Sequence, residues 1–229
     1  FGRWWLYSQA KKIPGYRGLI LRCTYDQLLK NHLQFMDREA GMIGGAKYSG
    51  GNVRQFKIQH EGDEESVIFC GFCDDEADII GHIGPEYDGI VLEEGVTLLP
   101  KAINEISPRA RGSSFALAAK IRLGLPEGGQ CRTLTNPGGR AMLYLVDHYI
   151  TQKPDSKEYP NYDASTHGHL TGTLDDNPYL HENYERDNLS HLSAARYKQL
   201  RYGDWSVMAG QFFGAYDPAK HVQSLAAVS

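Results

Sequence analysis

The sequence lacks several features that would assign it to a class at once. Its 229 residues contain no apolar run close to the roughly 18–20 residues that a membrane-spanning helix needs. The formal net charge is -4, so no overall basic excess indicates nucleic acid, and any DNA-binding surface has to be a local patch. The first residues contain neither an initiator methionine nor a signal-peptide cleavage site, which favours a chain that begins inside a longer protein.

Cysteine is also scarce. Cys23, Cys70, Cys73 and Cys131 are too few and too scattered for a disulfide-bonded scaffold, which indicates a reducing compartment. Cys70 and Cys73 form a C-x-x-C pair, but a structural zinc site needs a second pair at ligand spacing, and the sequence has none. We therefore interpret this pair as small apolar residues at the end of a strand.

A third absence is the phosphate-binding motif G-x-x-x-x-G-K-[ST]. The nearest stretch is "GMIGGAKYSGG" at residues 41–51, which lacks the G-K-[ST] core and follows a predicted helix. We interpret that stretch as a flexible loop. Residues 1–12 are typical of the helix that follows a phosphate loop, so we expect the missing segment immediately upstream of Phe1.

The sequence does contain strands that alternate with helices, which predicts an α/β fold with a largely parallel sheet. Helices are predicted at residues 4–12 and in "DQLLKNHLQFMDREAG", where Gly41 is the expected stop. The predicted strands are "RGLILRCTY", "VRQFKIQH", "ESVIFCGF", "DGIVLEE" and "GQCRTLT".

Beyond Tyr149 the sequence becomes polar and irregular, which is typical of a surface loop. A helix is then predicted with Asn177 as its cap and Pro178 at its first position. Another helix is predicted between a Ser193 cap and a Gly203 stop. Together these two helices predict a small subdomain appended to the sheet.

The apolar run of residues 90–92 ends in two adjacent acids, Glu93 and Glu94. Two neighbouring carboxylates are hard to ionise together unless a cation lies close to them. In P-loop NTPases a strand of this kind ends beside the nucleotide, where one acid serves the magnesium ion and the other the attacking water. The alternative is a surface turn with two solvated glutamates, and the motif alone leaves both open.

Three later segments suggest a family when they are taken with "RGLILRCTYDQLLKNH" and "YDGIVLEE". They are "LTNPGG" at 134–139, "LDDNPYLHENYERDNLSHL" at 174–192 and "LRYGDWSVMAGQFFGAYDPAKHV" at 200–222. In order and spacing this arrangement closely resembles the large terminase subunit of tailed bacteriophages, over nearly the whole chain. The resemblance implies a P-loop NTPase fold of the RecA/ASCE-like type, with helices on both sides of the sheet. It implies an ATPase core at 1–165 without its phosphate loop, a helical lid and linker at 166–210, and a connection at 211–229 toward an absent nuclease domain.

The resemblance also implies roles for individual residues. Glu93 matches the acid that attends Mg²⁺ and Glu94 matches the catalytic glutamate, although the family usually has Asp at the first position. Thr135 and Asn136 match a coupling motif that senses the γ-phosphate. Without the resemblance, the alternative is that these two residues form a helix cap and a turn.

Arginine candidates follow from the way ring-shaped motors often complete a site from a neighbouring subunit. Arg109 and Arg111 are the preferred candidates for that catalytic role, and Arg22 is a weaker one that we assign to nucleotide binding. The alternative for each is a solvated surface arginine.

The implied function is a motor ATPase that uses ATP and Mg²⁺ to move double-stranded DNA into a procapsid. The implied partners are DNA, the portal protein, the small terminase subunit and further copies in a homo-oligomeric ring, with no membrane. The implied location is the host cytoplasm at the portal vertex. The whole protein is also expected to be an endonuclease through a domain outside this chain. Without a phosphate loop, residues 1–229 alone are expected to bind ATP weakly. A helicase-like translocase of the same fold and a non-catalytic DNA-binding or assembly module remain as alternatives.

Overall fold

The computed structural model describes residues 1–207 of the chain. The backbone divides into two compact units, of which the first is Phe1–His169 and the second begins at Leu170. The predicted connection at 211–229 lies outside the described residues. Within residues 1–207, no helix has both the length and the apolar character that crossing a bilayer requires.

The first unit is built around a sheet of six strands with the spatial order β2-β3-β4-β1-β5-β6. β1 lies between β4 and β5 and is parallel to both, and β6 is parallel to β5, while β3 is antiparallel to β2 and to β4. This sheet confirms the predicted fold class, a mostly parallel α/β sheet flanked by helices. The strands are β1 (Arg17–Arg22), β2 (Ala46–Ser49), β3 (Gln55–Gln59), β4 (Glu65–Phe72), β5 (Gly89–Glu93) and β6 (Gln130–Leu134).

Helices connect these strands and also form the regular part of the second unit. α2 and α3 are joined by one π-helical stretch, Leu29–Leu33, and a second π-helical stretch, Val146–Ile150, follows α7. The helices are α1 (Gly2–Lys12), α2 (Tyr25–Leu28), α3 (Gln34–Met42), α4 (Glu76–Ile83), α5 (Pro100–Ile106), α6 (Ser114–Arg122), α7 (Met142–Leu145), α8 (Tyr184–Leu189) and α9 (Ala194–Tyr202).

The central strands are buried because their sequences are apolar runs. Every residue of β1 after Arg17 is buried, as the predicted double-sided cover requires. α1 packs on the sheet through Leu6, Tyr7 and Ala10, and the Tyr7 ring stacks on Phe56 with 4.2 Å between ring centroids. The parallel strands are therefore anchored in one apolar core, and their ends are fixed in space.

The interpretation of residues 41–51 as a flexible loop is wrong, because Ala46–Ser49 is strand β2. Tyr48 is paired with Phe56 in the β2–β3 hairpin and packs against the core. Gly45, with φ +79, supplies the turn into the strand. The glycines on both sides of β2 therefore belong to a hairpin. Because glycine-rich segments are typical of loops, they concealed the four-residue strand when only the sequence was considered. The prediction that the helix stops at Gly41 was also wrong, since α3 continues to Met42.

The helix predicted to start at Asn177 and Pro178 is also wrong, because α8 begins at Tyr184. The Asn177 side chain accepts a hydrogen bond from the Tyr179 N–H at 3.1 Å, which makes a turn in place of a helix cap. α9 matches its prediction, with Ser193 accepting from the Arg196 N–H and Gly203 in the left-handed region with φ 62.

Candidate nucleotide site

The candidate site lies at one edge of the sheet because parallel strands end on the same side. Leu21 on β1 is paired with Leu92 on β5, so Arg22 and Glu93 follow at neighbouring positions. Glu93 is in turn paired with Leu134 on β6, which places Thr135 beside Glu94. The structure therefore brings Arg22, Glu93, Glu94 and Thr135 together, although they are far apart in the sequence.

Glu93 is half-buried at this edge and lies against the first residues of α1. Gly2 approaches it so closely that a side chain there would clash with the Glu93 Oε1 atom. Burial raises the pKa of the Glu93 carboxyl, and the charge of Glu94 acts in the same direction. Arg22 and Arg3 oppose this rise with their positive charges. Glu93 is therefore a carboxylate whose ionised form would gain from a further cation.

Glu94 forms the turn out of β5 in the left-handed region, with φ 50 and ψ 47. A residue with a side chain adopts this conformation rarely, and such residues are concentrated at functional sites. The Glu94 carbonyl accepts hydrogen bonds from the Thr97 N–H at 2.8 Å and the Thr97 hydroxyl at 2.7 Å. This turn directs the chain sharply away from the sheet immediately after the two acids.

Arg22 ends β1 with 9% of its surface exposed. Its Nε atom is buried and has no hydrogen-bond partner among residues 1–207. A buried N–H of a charged group is unfavourable without a hydrogen-bond partner, so this position suits an anionic ligand better than a neutral one.

A buried polar network lies behind Arg22. The Arg3 guanidinium donates to both carboxylate oxygens of Glu39, at 2.9 and 2.8 Å, and the Tyr7 hydroxyl donates to Glu39 at 2.9 Å. Arg3 also lies 2.9 Å from the Nδ1 atom of His32 in the first π-helical stretch. The network joins α1 to α3, and it holds the start of α1 beside the strand ends.

Thr135 connects the ends of β5 and β6. Its Oγ1 accepts a hydrogen bond from the Val96 N–H at 3.1 Å and lies 3.2 Å from the Asn136 carbonyl, to which it donates. Asn136 is exposed, and Gly138 takes φ 98 in the turn that follows. Thr135, the first of the two predicted coupling residues, is therefore in direct contact with the loop that follows the two acids.

Arg109 and Arg111 lie at the opposite edge of the sheet. The Arg109 carbonyl accepts from the Tyr87 N–H at 2.9 Å, just before β5 begins, and Arg111 pairs with Glu86 at 2.9 Å. The structure does not bring either arginine to the two acids of its own chain. Their assignment to a neighbouring subunit's site stays a prediction.

Sequence reasoning missed Arg140, whose side chain contacts the loops after three different strands. It bonds to the Thr97 carbonyl, the Asp74 carbonyl and the Cys23 thiol. The signal in the sequence was an arginine directly after the Gly-Gly turn of "NPGGR".

The two acids fit a magnesium ion that is shared with a phosphate ligand. Mg²⁺ prefers oxygen donors, and proteins commonly hold it through one or two carboxylates plus substrate phosphates. Within residues 1–207, no group of three or more His, Cys, Asp and Glu side chains could enclose a metal by itself. Glu93 and Glu94 therefore suit a metal that arrives with its anion, and they do not suit a closed protein cage.

Comparison with known proteins gives structural matches but no sequence matches. No protein-family model matches this chain, and no curated protein does. The large terminase from a thermophilic bacteriophage aligns with a TM-score of 0.64 and 15% identity, over 96% of this chain and 48% of the terminase chain.

Two nucleotide complexes of the same phage terminase align in the same way. The complex with ADP gives a TM-score of 0.61 at 16% identity, over 95% of this chain and 48% of the other. The complex with ATP-gamma-S gives 0.59 at 14% identity, over 96% and 47%. The chain thus spans about half the length of the terminase structures it matches. It therefore has the fold of that half of a large terminase, which confirms at the level of fold the resemblance that its motifs suggested.

Proposed function

We propose that this chain is the ATP-hydrolysing part of a motor that moves double-stranded DNA into a viral procapsid. One observation carries the proposal: two acids, a threonine and a buried arginine whose Nε lacks a partner within residues 1–207 meet at one edge of a terminase-like sheet. They come from the ends of three parallel strands. The same fold has been solved with ADP and with ATP-gamma-S bound.

In this proposal Glu94 accepts a proton from the water that attacks the γ-phosphate. Glu94 follows the last residue of β5 and is partly exposed, so water can reach this position. Glu93 would hold Mg²⁺, which would supply positive charge to the phosphates and to both carboxylates. Arg22 would offer its buried guanidinium to a phosphate oxygen.

Thr135 and Asn136 would report the state of the nucleotide to the rest of the motor. The bond from the Val96 N–H to Thr135 Oγ1 links the loop after the acids to the loop after β6. A change at the γ-phosphate that moves the first loop would therefore move the second.

The partners belong to the same proposal. DNA would be held through its backbone phosphates, without regard to sequence and with strong dependence on salt. The portal protein, the small terminase subunit and further copies in a ring are proposed at the portal vertex, where Arg109 or Arg111 would complete a neighbour's site.

The test is Glu94→Gln in the full-length protein. This change keeps the size of the side chain but removes the general base, so ATP hydrolysis should fall by about 10²–10⁴ while ATP binding is retained. Steady-state turnover and a nucleotide-binding titration measure the two effects. Glu61→Gln is the matched control, because Glu61 is exposed in the turn between β3 and β4.

Glu93→Ala should behave differently, because it should weaken binding of ATP in a magnesium-dependent way. Unchanged turnover in Glu94→Gln would contradict the catalytic assignment. A full-length protein that binds DNA but never hydrolyses ATP would favour the non-catalytic DNA-binding module.

A further inference from the structure

Arg140 is held at the meeting point of three loops. Its Nε donates to the Thr97 carbonyl at 2.5 Å, and its Nη2 lies 3.0 Å from the Asp74 carbonyl and 3.2 Å from the Cys23 thiol. The same Nη2 is 3.6 Å from the Asp74 carboxylate. These partners follow β5, β4 and β1, so a single guanidinium links the ends of three strands to the turn after β6.

One of these partners leads directly to the proposed general base. Thr97 donates two hydrogen bonds to the Glu94 carbonyl, from its N–H and from its hydroxyl. Glu94 has the left-handed backbone conformation, which a residue with a side chain keeps only where its neighbours hold it there. Arg140 therefore acts on Glu94 through one intervening residue, Thr97.

Two further bonds join the loop after β5 to the turn after β6, but both are made at Val96 and leave the Thr97 carbonyl to Arg140. The Val96 N–H donates to Thr135, and the Ala141 N–H donates to the Val96 carbonyl at 3.0 Å. These bonds fix Val96. The Arg140 bond to the Thr97 carbonyl is a further restraint on this turn, beside the bond from the Leu98 N–H to the Gly95 carbonyl at 3.0 Å.

We propose that Arg140 is a positioning residue that holds the Glu94 turn in the geometry needed for water activation. This inference rests on the proposed ATP hydrolysis. The guanidinium suits the task because its planar fork can donate to Thr97 and to Asp74 at the same time. A lysine has a single ammonium group and does not reproduce that fork.

The test compares Arg140→Ala and Arg140→Lys in the full-length protein. In both variants kcat should fall by about 10- to 100-fold, because a small misplacement of a catalytic group costs up to that factor, while the KM for ATP changes by less than about threefold. Arg122→Ala is the matched control, since Arg122 is an exposed arginine at the end of α6.

A double mutant separates positioning from general damage. If Arg140 acts through Glu94, adding Arg140→Ala to Glu94→Gln should lower kcat by less than about threefold further. A full additional loss would overturn the inference. So would an Arg140→Ala variant with unchanged kcat, or one in which KM rises and kcat does not fall.

A second measurement needs no nucleotide. Hydrogen exchange at the Thr97 amide should become at least about tenfold faster in Arg140→Ala, because its bond to the Glu94 carbonyl loosens. Exchange at the wild-type rate would overturn the inference on its own. Loss of activity in Arg140→Ala with no effect of Glu94→Gln would instead reject the proposed function, so the two failures are distinguishable.

Discussion

At the scale of single residues, His32 shows how the surroundings of the candidate site control charge. It is 4% exposed, and its Nδ1 accepts from the Arg3 guanidinium, so a proton on that nitrogen would break the bond. Burial lowers the pKa of His32 to about 3, and the positive charges of Arg3 and Arg22 act in the same direction while Glu39 opposes them. His32 is therefore neutral in the folded protein at any pH above that value.

This neutrality predicts a loss of stability in mild acid. The unfolded chain protonates His32 near pH 6.5 but the folded chain does not, so lowering the pH from 7 to 5 favours unfolding. The free energy of unfolding should fall by roughly 1–2 kcal/mol more in the wild type than in His32→Asn, which keeps an acceptor for Arg3. Urea titrations at the two pH values measure the difference. Parallel pH profiles would contradict the prediction.

At the scale of elements, the second unit depends on the packing of α8. Leu189 at its end is 5% exposed, and the Arg201 side chain on α9 reaches back to Glu185 on α8 at 2.9 Å. The Arg201 guanidinium also donates two hydrogen bonds to the carboxylate of Asp175, which precedes α8, at 3.0 and 2.8 Å. Apolar burial and this ionic contact hold the two helices together.

Truncating the buried leucine should therefore destabilise this unit. Leu189→Ala should lower the free energy of unfolding by about 2–4 kcal/mol, as is typical for a buried leucine. Leu170→Ala is the control, because Leu170 is 96% exposed and should change stability by less than about 0.5 kcal/mol. Urea unfolding followed by circular dichroism measures both. Equal effects of the two variants would show that α8 does not bury Leu189.

Elements were predictable wherever hydrophobic period and capping agreed. The apolar runs correctly predicted strands β1 and β5. The Ser193 cap and the Gly203 stop correctly predicted the two ends of α9. β2 was not predictable, because its four residues pair with β3 and its glycine-rich flanks look like a loop. The false helix start at Asn177 has a local cause, since an asparagine side chain can bond to its own backbone in a turn as well as cap a helix.

The candidate site was predictable in the same partial way. Glu93, Glu94 and Thr135 stand at strand ends, and strand ends can be read from the sequence. Arg140 could not be found by that route, because its three partners come from loops up to 117 residues away along the chain. The Gly-Gly turn before Arg140 is the local feature at this position, and it does not show which atoms the side chain contacts.

At the scale of the whole molecule, one buried ion pair fixes the amino edge of the sheet. Lys120 on α6 lies 2.5 Å from the Asp88 carboxylate just before β5, and both side chains are buried. Asp88 also accepts from the Arg17 N–H and from the N–H and hydroxyl of Ser113. The pair therefore ties β1, β5 and α6 together at the edge opposite the candidate site.

Removing the lysine should leave a buried carboxylate without its cation. Lys120→Met should lower the free energy of unfolding by about 3–5 kcal/mol, and the double variant with Asp88→Asn should recover part of that loss. Lys101→Met is the control, because it breaks a solvent-exposed pair with Glu76 that should contribute little to stability. Thermal and urea unfolding measure the three variants. A Lys120→Met protein as stable as the control would contradict the proposed role.

The strand order has a consequence for where any ligand can bind. β1 and β5 are neighbours in the sheet. The connection that follows β1 leads to β2 at one edge of the sheet, while the connection that follows β5 leads to β6 at the other edge. Connections that diverge in this way open a crevice at the carboxyl ends of the two strands, a topological switch point that depends on backbone path alone. Arg22 and Glu93 stand at its two sides. A crevice set by topology does not require particular side chains, so it can persist when most of them are replaced.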